Sequence, residues 1–504
     1  MGFCKDEKKY YFCEMTIRTI LTSCILASAA HFASAQYFEA DGIAYRLYAS
    51  RGTVAVVPFE QSEDLRVYQG ALIIPDEVEY YGVFYPVAGV SRDAFAGCDG
   101  LVSVILPSSL MFIDEFAFSY CTSLVSVGFP ESLGRIGEGA FAGCSSIETV
   151  SLPSNVVEIS DKVFYDCREL KEVSVSDHLI GIGDFSFSGC VSLPEIKIPD
   201  SVERIGSGAF RNCGKILEIT LPSSLKKLGD AAFENCVSLG SVELKSSIKD
   251  IPAYCFNGCR SLENVSFIEG CKKIGAYAFQ GCSGLREVYI GENIEEIGDN
   301  AFGLCTSLSR IDISETGSLI EIGSGAFTHT LLEKADLRRV AVIGADSFAG
   351  CGVLEDVVMY SMLDSIGSRA FHDCPELRYV TSMRLQPPAL SSVGFDRTSY
   401  ATVLLSVPES CAMLYRQTPP WSYFDELYAI SGVGNIPGDD DDLIVKVTMR
   451  GVELLSAYGS YAIYDVSGRL IVEGEKKESG KEIALPSRGI YIVRSGQSVR
   501  KIVF

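Results

Sequence analysis

The sequence predicts a repeat solenoid of about 13 coils of 23 residues, one parallel strand per coil, with β-rich caps and a small C-terminal antiparallel β-sandwich domain. Three observations carry this. Phe95, Phe118, Phe141, Phe164, Phe187, Phe210, Phe233, Phe256, Phe279 and Phe302 fall 23 residues apart without a slip, and Phe327, Phe348 and Phe371 continue at spacings of 25, 21 and 23. Short β-branched segments recur in phase with that ruler. After residue 443 the pattern changes to alternating apolar and polar residues broken by turn sequences.

Each coil reads column by column. From Phe141 the chain passes Cys144, then Ile147, Val150 and Leu152, then Val156 and Ile159 before Phe164 restarts the pattern. The strand slots hold Leu124, Val127 and Phe129 one coil earlier, and Leu193, Ile196 and Ile198 in a later one. Twenty-three residues leave no room for a long helix, so turns, 3₁₀ segments and brief extended pieces fill the rest. Strands stacked about 4.8 Å apart give a rod of roughly 60 Å. The glycine after the isoleucine (Gly137, Gly183, Gly206 and others) requires either positive φ or tight packing, although Asp114, Ser160 and Pro252 replace it in three coils.

The pattern Ile-Gly-x-x-Ala-Phe-x-Gly-Cys-x-x-Leu-x-x-Val-x-Leu-Pro-x-Ser-Leu, written nearly in full at 136–153 and 205–225, resembles the BspA-type leucine-rich repeat. The resemblance covers about 290 residues, taken as 90–382. Asp41-Gly42-Ile43-Ala44-Tyr45 and Tyr68-Gln69-Gly70-Ala71-Leu72-Ile73-Ile74-Pro75 resemble the family's entry cap, placed at 36–89. The stretch from Leu405 to Tyr415, with Trp421 and Phe424, resembles its exit cap, placed at 383–430. Caps are needed because a bare end exposes apolar surface and unpaired strand edges. The resemblance implies a bacterial surface protein that binds through its repeats.

Met15-Thr16-Ile17-Arg18, the apolar run 20–30 and Ala33-Ser34-Ala35 read as a secretory signal cleaved before Gln36, with 1–14 as upstream translation. A competing lipoprotein reading uses Leu21-Thr22-Ser23-Cys24, but its apolar run is too short. No other stretch reaches the ~18–20 apolar residues a membrane span needs, so the mature chain reads as soluble and exported. It carries 39 Lys and Arg against 62 Asp and Glu, a net charge of −23 against −22 for the whole chain. Such a field repels nucleic acid and anionic membrane and favours neutral or cationic partners.

Fifteen cysteines follow residue 35, and twelve form one column: Cys98, Cys121, Cys144, Cys167, Cys190, Cys213, Cys236, Cys259, Cys282, Cys305, Cys351 and Cys374. Export usually suggests disulfides. Stacked residues with parallel Cα–Cβ vectors about 4.8 Å apart cannot converge to the ~3.8 Å a bridge needs, so the column reads as buried free thiols over alternating disulfides or a metal ladder. Cys255 and Cys271 occupy packing slots, and zinc-site spacing is absent. No metal or cofactor is expected.

No enzymatic activity is expected either. His178, His329 and His372 are the only histidines after residue 35, and the repeat places none beside a Ser or Cys with an orienting carboxylate. Glu172, Glu195 and Glu218 share a column and read as a solvated acidic stripe rather than a glycosidase pair. A partner would read the outward strand column, Ile105, Gly128, Ser151, Ser174, Lys197, Thr220, Glu243, Ser266, Tyr289, Asp312, Asp336, Val358 and Thr381, which packing leaves free to vary. The candidate binding residues are Lys197, Glu243, Arg286, Glu287, Tyr289, Arg310, Asp312 and Asp336, with Tyr289 at the centre of the most interface-like patch. The expected partner is a protein, of host matrix or of another bacterial surface. A glycan-binding or accessory role is the alternative, with Tyr289 and Tyr379 the only aromatics in suitable columns.

Residues 431–442 read as an acidic linker ending in four aspartates, a solvated hinge rather than a Ca²⁺ site. Within 443–504, Ile463-Tyr464-Asp465-Val466-Ser467-Gly468-Arg469-Leu470, Gly489-Ile490-Tyr491-Ile492-Val493-Arg494 and Lys501-Ile502-Val503 resemble the sorting domain recognised by the type IX secretion system of Gram-negative bacteria. That resemblance implies contact with the secretion machinery, passage across the outer membrane, removal of the domain, and a cell-surface or secreted destination.

Overall fold

A computed structural model describes residues 36–59, 68–244, 248–267, 270–314 and 317–430, and in the C-terminal module 445–447, 451–454, 459–465, 469–476, 482–486, 490–495 and 498–503. The expected leader at 1–35 and linker at 431–442 lie outside the described residues. The chain divides into two units, Met1–Lys215 and Ile216–Phe504.

In the first unit an antiparallel meander, Gln36–Ala40, Ile43–Tyr48 and Thr53–Val56, pairs in parallel with Val83–Val90. The strand Gly70–Ile73 opens the expected ladder, which continues through Leu101–Ile105, Ser126–Gly128, Thr149–Ser151 and Glu172–Ser174. Partners such as Thr149 and Glu172 keep the 23-residue offset. Besides this strand, each coil has a second, two-residue strand centred on the isoleucine of the Ile-Gly pair. Val83–Val90 leads that ladder into Phe112–Ile113 and Arg135–Ile136, and Glu158–Ile159, Gly181–Ile182 and Arg204–Ile205 form a further stretch. A hydrophobic period cannot announce two-residue strands.

The coil containing Leu193, Ile196 and Ile198 departs from expectation: 193–199 forms no strand. The cause is Pro194. At its position in preceding coils the Val125 N–H donates to the Val102 carbonyl at 3.0 Å, Glu148 to Val125 at 3.2 Å, and Lys171 to Glu148 at 2.8 Å. Proline has no N–H with which to extend that row. A Pro194→Glu variant is expected to show a newly protected amide at position 194 in hydrogen exchange, with net stability changing by less than about 1 kcal/mol because the flexible residue also loosens the unfolded chain. Unchanged fast exchange there would discount the proline explanation.

The second unit repeats the design. Its strand ladder runs Glu218–Leu221, Ser241–Leu244 and Asn264–Val265, then Glu287–Ile290 and Arg310–Ile313, then Lys334–Leu337, Asp356–Met359, Tyr379–Ser382, Leu404–Pro408 and Glu426–Ile430. The second ladder holds seven short strands from Asp250–Ile251 to Ala389–Leu390. Helices Arg397–Thr402 and Ala412–Gln417 and a 3₁₀ turn at Trp421–Tyr423 close the end. Trp421 is buried and its indole N–H donates to the Pro388 carbonyl at 2.8 Å, which makes it a cap residue. The C-terminal module has two antiparallel sheets, Val445–Val447 with Gly451–Leu454 and Glu482–Ala484, and Leu470–Lys476 with Gly459–Asp465, Ile490–Ser495 and Ser498–Val503. Val452, Leu454, Ile463, Ile483, Leu485, Tyr491 and Val493 form its core.

The ruler phenylalanines are fully buried and stack ring on ring. Centroids are 4.9 to 5.8 Å apart from Phe95 to Phe210, and 5.3 to 5.5 Å apart from Phe233 to Phe371. The caps complete each row: Tyr68 sits edge-on to Phe95 at 4.9 Å, and Phe395 stacks on Phe371 at 4.9 Å.

Around each ring the backbone turns and donates to the following coil. The Phe116, Phe118 and Tyr120 N–H groups reach the carbonyls of Glu138, Ala140 and Ala142. The residues two before and two after each phenylalanine carry the positive φ, as at Phe116 (55°) and Tyr120 (58°). The glycine of the Ile-Gly pair does not. It is there for close approach, since a Cβ on Gly137 would lie 2.6 Å from the Glu115 nitrogen and one on Gly275 2.7 Å from the Ala253 nitrogen. Large side chains at the positive-φ sites lean over the next coil, where a glycine receives them: Phe116 over Gly139, Tyr120 over Gly143, Phe185 over Gly208, and His329 over Gly350.

Candidate partner-binding surface

Strand alternation sends every second side chain of the first ladder to solvent, so residues 23 apart become cross-strand neighbours. Tyr289 pairs with Asp312 and Glu287 with Arg310. Tyr289 is 57% exposed, on a strand whose inward residues Val288 and Ile290 are buried. The Arg310 guanidinium grips Asp312 of its own strand, Nε to Oδ1 at 3.0 Å and Nη2 to Oδ2 at 2.9 Å. Arg286 lies beside the patch and is exposed. Four of the expected residues, Glu287, Tyr289, Arg310 and Asp312, are therefore contiguous.

The others are placed differently. Asp336 is only partly exposed and is held by Arg338, with both oxygens 3.3 Å from guanidinium nitrogens. Arg338 lies over the Tyr360 ring at 5.8 Å. Burial, then the Asp336 charge, pushes the Tyr360 phenol well above its ordinary value. Lys197 is exposed in the coil that Pro194 keeps out of the ladder, in the first unit. The outward column also closes where variation was expected: Val358 and Thr381 are fully buried, and Val358 packs with Met383 and Ile430. Ile430 comes from the last strand of the exit cap, and a 23-residue period carries no trace of it.

Glu243 belongs to a feature the column reading missed. It lines a depression of about 280 Å³ with Glu218, Thr220, Ser241, Ser266 and Phe267. The Thr220 hydroxyl donates to Glu243 at 3.4 Å. The signal was present as a run of short hydroxyl side chains at outward positions, which leaves the two carboxylates standing above a low floor.

His372 Nε2 faces the Asp396 carboxylate at 3.3 Å, and the His329 ring lies over Gly350. The column thiols donate to backbone: Cys121 to the Phe95 carbonyl at 3.1 Å, Cys144 to Phe118 at 3.0 Å, Cys282 to Phe256 at 3.2 Å. All fifteen described cysteines, Cys411 in the exit cap among them, are unbridged and buried. Burial pushes the Cys213, Cys259 and Cys305 thiols up to about 12. Among the described residues no group of three or more His, Cys, Asp or Glu is arranged to hold a metal, and no helix is long and apolar enough to cross a membrane.

Stacked coils with an in-phase apolar interior, one solvent-facing strand surface and a cap at each end define a leucine-rich repeat solenoid. The pattern of the BspA-type leucine-rich repeat region matches residues 88–213, 180–305 and 272–386, and the chain belongs to that family. It is similar to a leucine-rich repeat protein from Bacteroides ovatus, with 29% identity, 68% of this chain and 94% of that one covered, and a TM-score of 0.55. It is also similar to a leucine-rich cell surface protein from Faecalibacterium prausnitzii, with 26% identity, 69% and 95% coverage, and a TM-score of 0.51. No curated protein matches the chain.

Proposed function

We propose that this is a non-enzymatic bacterial surface protein that binds a protein partner through the strand face of its repeats, an adhesin for host matrix or for another bacterial surface. The observation that carries the reading is Tyr289, a large aromatic held open to solvent on a rigid strand beside Glu287, Arg310 and Asp312. The hydroxyl-floored depression with Glu218 and Glu243 suits an inserted lysine or arginine, and the net charge of −22 favours a basic partner surface. The leader at 15–35 and the C-terminal module at 443–504 supply the export route in this reading, the latter as a type IX sorting signal.

Cells that possess the type IX machinery and express the full chain are expected to bind an immobilised matrix protein from a panel, or a second bacterium. Tyr289→Ala with Glu287→Ala should weaken that binding about tenfold or more while surface display is unchanged. Deleting 443–504 should remove the protein from the surface, read by protease accessibility. Binding indifferent to the double substitution would refute the strand-face assignment, and display indifferent to the deletion would refute the sorting role.

A further inference from the structure

We propose a second binding site, on the turn edge of the second unit, that takes a neutral pyranose glycan on Tyr254 and Tyr277. Both tyrosines sit two residues before a ruler phenylalanine, at φ of 58° and 61°. Their rings stack at 4.7 Å with 5° between planes. Tyr254 is 39% exposed, and Tyr277 is half-buried. Phe116 and Phe185 occupy the same position in earlier coils and each leans over a glycine, whereas Tyr254 meets a second aromatic, with Ala231 in the coil before the pair and Asn300 in the coil after, at φ of 55° and 52°. A bulky side chain at positive φ is disfavoured, and glycine or asparagine would serve the turn better. Two adjacent aromatics occur in this column only at Tyr254 and Tyr277, and their stacking leaves a pair of partly exposed rings at the turn edge.

The surroundings select the ligand. Ala231 offers only a methyl group beside Tyr254, so the outer face of that ring has no large neighbour on its own column. A partly exposed aromatic ring suits the C–H face of a hexose. Two amide-bearing residues lie three residues on from the tyrosines: the Asn257 backbone N–H donates to the Tyr254 carbonyl at 3.0 Å, and the Gln280 backbone N–H to the Tyr277 carbonyl at 3.2 Å, which fixes each one turn from its tyrosine. Asn257 Nδ2 donates to Gln280 Oε1 at 3.4 Å, so the two side chains orient each other. An amide has two donors and two acceptor lone pairs, and one shared bond leaves capacity for sugar hydroxyls. Asp230, Glu234 and Asp299 in the turns on either side, within a chain of net charge −22, disfavour sialylated or sulfated sugars. The site therefore lies on the turn edge, away from the strand columns that hold Tyr289 and Tyr379.

The full chain should be screened on an array of neutral β-glucan, mannan and lacto-series oligosaccharides with sialylated and sulfated counterparts, and the best neutral binder then titrated calorimetrically. Tyr254→Asn with Tyr277→Asn keeps a residue that tolerates positive φ, and should weaken binding about tenfold or more with the circular dichroism spectrum unchanged. Asn257→Ala with Gln280→Ala, which leaves the backbone turn alone, should weaken it as well, whereas Tyr254→Phe should stay within about threefold. Tyr289→Ala should have no effect, which separates this site from the protein-binding face. Absence of any neutral binder, preference for the anionic glycans, or full affinity in both double variants would overturn the proposal.

Discussion

Phe279→Ala is expected to cost roughly 3–5 kcal/mol and to lower the urea midpoint of the repeats accordingly. The ring is fully buried, stacks on Phe256 at 5.4 Å and on Phe302 at 5.3 Å, and meets Phe267 edge-on at 5.8 Å. Removing it empties a space lined by three coils, and backbone bonds to both neighbours prevent collapse around it. A quasi-one-dimensional stack is stabilised by interfaces between adjacent coils, so one lost ring weakens two of them. Phe371→Ala should cost a similar amount although it lies beside the cap, because Phe348 and Phe395 flank it at 5.4 and 4.9 Å. Equilibrium unfolding followed by circular dichroism decides this. A loss below about 1 kcal/mol at Phe279 would mean that the row only fills space.

The second large effect is alkaline unfolding. Buried thiols such as Cys213, Cys259 and Cys305 titrate near 12 in the folded chain, against an ordinary value of 9.0. Below about pH 9 both states keep the proton and these groups add no pH dependence. Above it the unfolded chain ionises while the folded chain does not, so their contribution is lost progressively as pH rises towards about 12. One pH unit above the ordinary value, each such thiol favours unfolding by about 1.4 kcal/mol, and three of them together rival the marginal stability of a domain. The urea midpoint should fall steeply from about pH 9 upward, and Cys213→Ala with Cys259→Ala and Cys305→Ala should flatten that slope by about three protons. The column should resist alkylation below pH 9 and react fully once the chain is unfolded. An unaltered slope in the triple variant would show that the thiols are not the titrating groups.

How much could be read beforehand differs by feature. The ring stack follows from spacing alone, because identical residues at a fixed interval in a solenoid must superpose. The adjacency of Tyr289 to Asp312 and of Glu287 to Arg310 follows from the same arithmetic. Features that depend on direction do not. The column of cysteines was legible as buried thiols, but their donation to the preceding coil's phenylalanine carbonyl is geometry no spacing reveals. Pro194 stands in plain sight, yet the apolar slots at Leu193, Ile196 and Ile198 match the strand pattern, and the missing N–H matters only once the donor row at Val125, Glu148 and Lys171 is known. The depression at Glu243 needs side-chain heights from three strands at once.

The glycines that receive leaning side chains give the repeats an order. Phe116 requires Gly139, Tyr120 requires Gly143, and His329 requires Gly350, always in the coil that follows and never in the one before. Coils of equal length are thus not interchangeable beads. Cutting out the coil around Phe141 would keep the ruler intact while setting Phe116 against Lys162 and Tyr120 against Asp166. Lengthening the array by copying is tolerated where the new junction again sets a glycine or another small residue under each leaning side chain. Tyr254, stacked on Tyr277 at 4.7 Å, shows the other way to make a seam, so a coil can be added or removed where the new junction offers either a small residue or a ring that can stack.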